Sequence, residues 1–111
     1  MMKKSDPIVM EVINNRLQSI ANEMEDSLLK MAFSVIVKEM KDASTAIFDA
    51  KGRTIAQSAA MPCQLGFLSS SVPAILEDFP VSQAKEGDVY LQNDPFNGGS
   101  HIPDVTALTP I

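Results

Sequence analysis

Apolar residues at Val9, Ile13, Leu17, Ile20, Met24, Leu28, Met31 and Val35 are separated by steps of 4, 4, 3, 4, 4, 3 and 4. That spacing places all of them along one face of an α-helix, and it constrains the fold of this chain more than any other feature. Glu11, Asn15, Gln18, Asn22, Glu25 and Asp26 fill the other side. Asp6 followed by Pro7 is a helix-opening pair, with the carboxylate at the N-cap and proline at the first helical position. The pattern predicts a helix from Pro7 to about Ala32, with room to reach Lys38. At 1.5 Å per residue it is roughly 40 Å long. A coiled-coil dimer would suit the spacing. However, Ile8, Val12, Ala21 and Leu29 widen the stripe, and a wide stripe suits packing against a sheet or several helices.

Shorter elements follow. Ser44 to Phe48 and Arg53 to Gln57 read as two strands of a hairpin, joined by Asp49, Ala50, Lys51 and Gly52, with glycine where a positive φ is cheap. Residues 58–66 are small and include Pro62 and Gly66, which reads as a loop. Ser70 or Ser71 can cap a short helix over Val72 to Phe79, with Pro73 in its first turn. Pro80 to Glu86 returns to the surface, Val89 to Gln92 reads as a buried strand, and Val105 to Leu108 as another. The expected fold class is α+β: a long N-terminal amphipathic helix packed on a small, mainly antiparallel sheet, with a second short helix. The 111 residues suit one domain. The chain stops at Thr109, Pro110 and Ile111, directly after the last expected strand, so a truncated domain is expected.

The formal net charge of −5 gives no electrostatic reason to bind nucleic acid or anionic lipid. No apolar run approaches the roughly 18 residues of a membrane span. Lys3 and Lys4 lack the apolar stretch that would make them the start of a signal peptide. The one cysteine, Cys63, cannot form an internal disulfide, and a cytoplasmic location is expected. A packed thiol suits Cys63 better than a nucleophile, because no basic partner is near it in sequence. Lys38, Glu39, Lys41 and Asp42 read as a solvated helix end.

Residues 93–104, NDPFNGGSHIPD, carry the most chemistry. Asp94-Pro95 starts a turn, and Asn97-Gly98-Gly99 allows backbone shapes that other residues avoid. The only histidine, His101, lies here, with Asp104 three residues on. An imidazole and a carboxylate suit zinc, manganese or iron(II), and Pro103 between them restricts their relative aim. Asp94 is either a carboxylate that orients His101 or a turn-former. Two good ligands, with Asp94 as a possible third, are fewer than a site needs, so on these residues alone a glycine-rich surface turn with a solvated histidine is the better reading. The glycines do not have phosphate-loop spacing.

The segment NDPFNGGSHIPDVT resembles the strand-loop-strand signature NDPYxGGTHLPDxT of the hydantoinase B/oxoprolinase family. DPIVMEVINNRL, AFSVIVKEMKDASTAIFDAKGRTIAQ and GDVYLQNDP are similar to further family segments, in the same order. Two departures stand out. Ala60 and Gln64 replace histidines of the family stretch HIPVHLG, and Met40-Lys41 replaces a pair of arginines.

The resemblance implies that residues 1–111 are the N-terminal part of a longer subunit. That subunit would act with a hydantoinase A-like partner, which uses ATP, on a cyclic amide of the hydantoin or 5-oxoproline type. It also implies a divalent metal (Zn, Mn or Fe) held by His101, Asp104 and a further histidine beyond Ile111. No catalytic base can be named in this stretch, and the chain alone is expected to be inactive. A subunit of an acetone- or acetophenone-type carboxylase, taking a ketone, is the alternative within the family. A non-catalytic interaction module is the alternative outside it.

Overall fold

The computed structural model describes residues 4–40, 42–58, 62–99 and 104–111. The fold is α+β: helix α1 (Pro7–Met31), helix α2 (Val35–Met40), a hairpin of β1 (Ala46–Phe48) and β2 (Thr54–Gln57), helix α3 (Pro62–Asp78), a 3₁₀ turn (Val81–Gln83), and a second hairpin of β3 (Tyr90–Gln92) and β4 (Thr106–Leu108). Each hairpin is a separate two-stranded antiparallel sheet.

α1 begins as its sequence dictates. The Asp6 carboxylate accepts the Ile8 amide at 2.9 Å, and Pro7 occupies the first turn. The helix stops at Met31; Ala32 turns to extended backbone and separates it from α2. The expected extension to Lys38 is therefore a second, short helix.

α1 packs on the first hairpin, with Ala21 fully buried. Thr45 Oγ1 donates to the Ala21 carbonyl at 2.7 Å, and Gln18 Nε2 donates to the Gln57 carbonyl. Ser58, also buried, closes the hairpin: its amide donates to the Thr45 carbonyl at 2.9 Å, and its Oγ accepts the Thr45 amide at 3.1 Å. Both polar groups are thus paired, as burial requires.

The expected packing of the whole stripe on a sheet is met only in part. Strands of three or four residues reach about 13 Å, whereas 25 helical residues reach about 37 Å. Val9, Ile13, Met24, Leu28 and Met31 all stay exposed. The buried apolar core among the described residues is Ala21, Ala56, Val72 and Ile75. The radius of gyration, 15.2 Å, exceeds the roughly 13 Å of a compact domain of about 100 residues.

The turn of the first hairpin forms as expected. Gly52 has φ +79°, and the Asp49 carboxylate gathers three donors: the Lys51 and Arg53 amides, each at 2.9 Å, and Arg53 Nε at 2.7 Å. The bond from the Arg53 amide, helped by the Arg53 guanidinium and the Lys51 amide, outweighs desolvation and holds the Asp49 carboxyl below its ordinary value of 3.8. A carboxylate with a lowered folded pKa stabilises the fold above its unfolded value and stops doing so as pH falls through its folded midpoint. A carboxyl NMR titration should place the Asp49 midpoint below 3.8; a midpoint at or above that value would contradict the three-donor turn.

α3 corrects the sequence reading most. Residues 62–66, expected to be loop, belong to the helix, which begins ten residues before the expected Val72. Pro73 sits inside the helix, exposed, rather than in its first turn. Neither Ser70 nor Ser71 is a cap. Pro80 ends the run, as a proline just beyond a helix does. The strand expected to be buried, Val89 to Gln92, is covered on one face only. Tyr90 stacks on Phe79 at a centroid distance of 5.0 Å, while Val89, Leu91 and, across the ladder, Val105 are exposed. No helix of the described residues is long and apolar enough to cross a membrane.

Between α1, the first hairpin, α3 and the chain's last residues lies an apolar cavity of about 290 Å³. Ile20, Met24, Phe48, Leu76, Tyr90 and Ile111 are among its walls.

Candidate functional site

The glycine-rich loop joins β3 to β4, whose register pairs Gln92 with Thr106. Its first half is a hydrogen-bonded turn built on Asp94. The Asp94 carboxylate accepts the Phe96 amide at 2.9 Å, and its carbonyl accepts the amides of Asn97 at 3.1 Å and Gly99 at 2.9 Å. Of the two roles expected for Asp94, the described geometry shows turn formation.

The loop is fastened to α3. Ser71, almost fully buried, donates from Oγ to the Gly98 carbonyl at 2.5 Å. The Asn97 side-chain amide donates to Asp78 Oδ2 at 2.8 Å. Gln92 Nε2 donates to the Asn97 carbonyl, and Gln92 Oε1 is a buried acceptor with no donor among the described residues. Sequence reading missed this role of Ser71 and Asp78. A serine inside a helix, where it weakens rather than supports helical structure, is the only signal that hinted at it.

The two glycines are needed for different reasons. Gly98 has φ +85°, and a Cβ there would lie 2.9 Å from the Ser70 carbonyl oxygen and 3.0 Å from the Ala74 Cβ. It lets the loop backbone touch the helix. A Cβ on Gly99 would lie 2.5 Å from the Asp94 carbonyl oxygen, so Gly99 closes the loop on its own start.

Asp104 is half-buried just before β4 and has an interaction partner. His101 and Pro103 lie outside the described residues, as do Lys41 and Ala60, and nothing of the Cys63 and Gln64 side chains is described. No three His, Cys, Asp or Glu side chains among the described residues come together as a metal-binding group. The described residues therefore show the frame of the loop and one expected ligand, not a ligand set. Nearby, burial first and then the charge and hydrogen bond of Asp88 raise the Tyr90 phenol above its ordinary value, so it stays protonated and donates to Asp88 Oδ2 at 3.3 Å.

Comparison with known proteins places these features in a family. The family model described as hydantoinase B/oxoprolinase matches residues 6–111. The chain is 38% identical to a 5-oxoprolinase of Dictyostelium discoideum over 96% of its own length and 8% of that protein's. It is 38% identical to a 5-oxoprolinase of Saccharomyces cerevisiae, over 95% of its length and 8% of the relative's. The B-type component of a putative D-/L-hydantoinase of Pseudomonas sp. is 33% identical over 99% of this chain and 19% of that protein. The chain thus spans a fifth or less of the length of these relatives. No solved structure matches it. With the match running through both hairpins, all three helices and the pinned loop, the chain belongs to the hydantoinase B/oxoprolinase family.

Proposed function

We propose that this chain contributes the N-terminal part of a B-type subunit that, with a hydantoinase A-like partner using ATP, hydrolyses a cyclic amide of the hydantoin or 5-oxoproline class. The observation that carries this reading is the family match over residues 6–111, with relatives named as 5-oxoprolinases and as the B-type component of a D-/L-hydantoinase. In this reading His101 and Asp104 are two ligands of a divalent ion, zinc, manganese or iron(II). Such an ion supplies polarisation of a carbonyl or activation of water. The chain's own contribution is positional. Asp94 sets the turn, Ser71 and Asp78 hold the Gly98 and Asn97 ends against α3, and the loop meets β4 at Asp104. The setting is cytoplasmic.

The test is ATP-dependent ring opening, assayed with hydantoins and with 5-oxoproline in the presence of an A-type partner. A full-length polypeptide bearing this segment should turn over one of them, and the 111-residue chain should give none. Turnover by the 111-residue chain that is lost on chelation would show its site to be complete and the reading wrong. The replacement of family histidines by Ala60 and Gln64 favours a second reading, a non-catalytic interaction module. Full-length material inactive on both substrates, and still inactive with histidine restored at 60 and 64, would select it.

A further inference from the structure

Resting on the reading of His101 and Asp104 as the working groups of the loop, we infer that Asp78 and Gln92 are positioning residues. Together they fix Asn97, and through it the arm of the loop that runs on to His101, at a site where stability alone would place other side chains.

The loop is held unevenly. Its tip carries a side chain out into solvent, the Phe96 ring being 98% exposed. The arm that follows is gripped at consecutive residues. The Asn97 amide donates to the Asp94 carbonyl, the Asn97 side chain donates to Asp78 Oδ2 at 2.8 Å, and the Asn97 carbonyl accepts from Gln92 Nε2. The Gly98 carbonyl accepts from Ser71 Oγ, and the Gly99 amide returns to the Asp94 carbonyl. Asn97 is thus held from α3 on one side and from β3 on the other, shortly before His101 in the sequence. Groups that must meet a ligand or a reacting atom are the ones that need a backbone fixed in this way.

Both residues that grip Asn97 stand where they weaken the fold. Asp78 is the last residue of α3 and follows Glu77, and the last turn holds no basic residue. The carbonyl end of a helix carries partial negative charge and favours cations, so a carboxylate there is unfavourable. Gln92 carries a different cost. Its Oε1 is buried and meets no donor among the described residues, and an acceptor shut away from water without a donor destabilises a fold. Methionine would fill a similar space without that cost. Two unfavourable placements converge on one residue, and local rules broken at a single point mark function rather than packing. Ser71 differs: it is buried with its hydrogen bond made.

Hydrogen exchange by NMR, beside urea unfolding of the 111-residue chain, separates positioning from packing. Asp78→Ala and Gln92→Met should each speed exchange of the Asn97 and Gly99 amides about fivefold, the weight of one net hydrogen bond. Exchange of the Ser58 amide in the first hairpin should not change. The urea midpoints of both variants should equal or exceed that of wild type. Asp78→Asn keeps an acceptor for the Asn97 side chain and should stay within about twofold of wild-type exchange. In a full-length polypeptide bearing this segment, Asp78→Ala and Gln92→Met should lower the affinity for zinc roughly tenfold by titration calorimetry, and Asp78→Asn should retain it. Unchanged exchange overturns the inference, and so do midpoints lowered as far as that of Ser71→Ala. An Asp78→Asn variant as impaired as Asp78→Ala also overturns it, since charge and not the bond to Asn97 would then act. So does an unchanged zinc affinity in both variants of a polypeptide that binds the ion. A full-length wild type that binds no divalent ion would instead defeat the ligand reading of His101 and Asp104, and the exchange rates alone would then decide whether Asp78 and Gln92 fix the arm.

Discussion

Replacing Gly98 with alanine is expected to destabilise the fold by about 3 kcal/mol, the sum of a strained left-handed residue and an overpacked contact. The geometry leaves no inexpensive escape. At φ +85° an L side chain is strained wherever it points, and the new Cβ meets the Ser70 carbonyl oxygen at 2.9 Å and the Ser71 Cα at 3.2 Å. Both are backbone atoms of α3, so the helix or the loop must move as a body. A loss of that size is a large share of the roughly 5–15 kcal/mol that stabilises a typical domain. Urea unfolding followed at Tyr90 is the measurement. Ser71→Ala provides the comparison: it keeps the space and removes the donor to the Gly98 carbonyl, at a cost of about 1–3 kcal/mol. A Gly98→Ala midpoint equal to wild type would show that the loop does not rest on the helix.

In a full-length relative carrying this loop, His101→Ala and Asp104→Ala are each expected to remove bound metal and turnover together. A divalent ion needs three or four ligands, and losing either of two from one loop leaves too few to hold it. Asp94→Ala should do less, roughly a 10- to 100-fold loss of affinity or activity. Its carboxylate accepts the Phe96 amide and shapes the turn, and the carbonyl that receives the Asn97 and Gly99 amides remains after the substitution. Elemental analysis beside titration calorimetry on the three variants separates these cases. Stoichiometric metal and normal turnover in His101→Ala would sink the ligand assignment and return the loop to a structural turn.

Much of the architecture was legible in the residues because it rests on local chemistry. Asp6 and Pro7 open α1, the Asp49–Gly52 turn folds the first hairpin, and the apolar runs at Val89–Gln92 and Val105–Leu108 pair as strands. What was not legible depends on contacts far along the chain. The helix through residues 62–71 defies its glycine, proline and serine content; in its later turns Val72 and Ile75 are buried, and Ser71 finds its partner 27 residues away. The exposure of the α1 stripe was hidden because periodicity reveals which face is apolar, not what is long enough to cover it. Of the candidate site, the residue types of the loop were readable, and so was the need for glycine. The reason for Gly98, the close approach of α3, required the fold.

α1 with the first hairpin, and α3 with the second, form two helix–hairpin leaves. They meet thinly, where the Gly52 turn backs onto Pro73 and Leu76 and around the apolar cavity. The chain has one tyrosine and no tryptophan, and Tyr90 is stacked on Phe79 in the second leaf. Intrinsic fluorescence therefore reports the second leaf and the cavity wall at which Tyr90 meets Ile20, Met24 and Phe48 of the first. Fraying of the start of α1, away from that wall, would leave emission unchanged while lowering the far-ultraviolet dichroism, so the two signals followed on one sample would trace different melting curves.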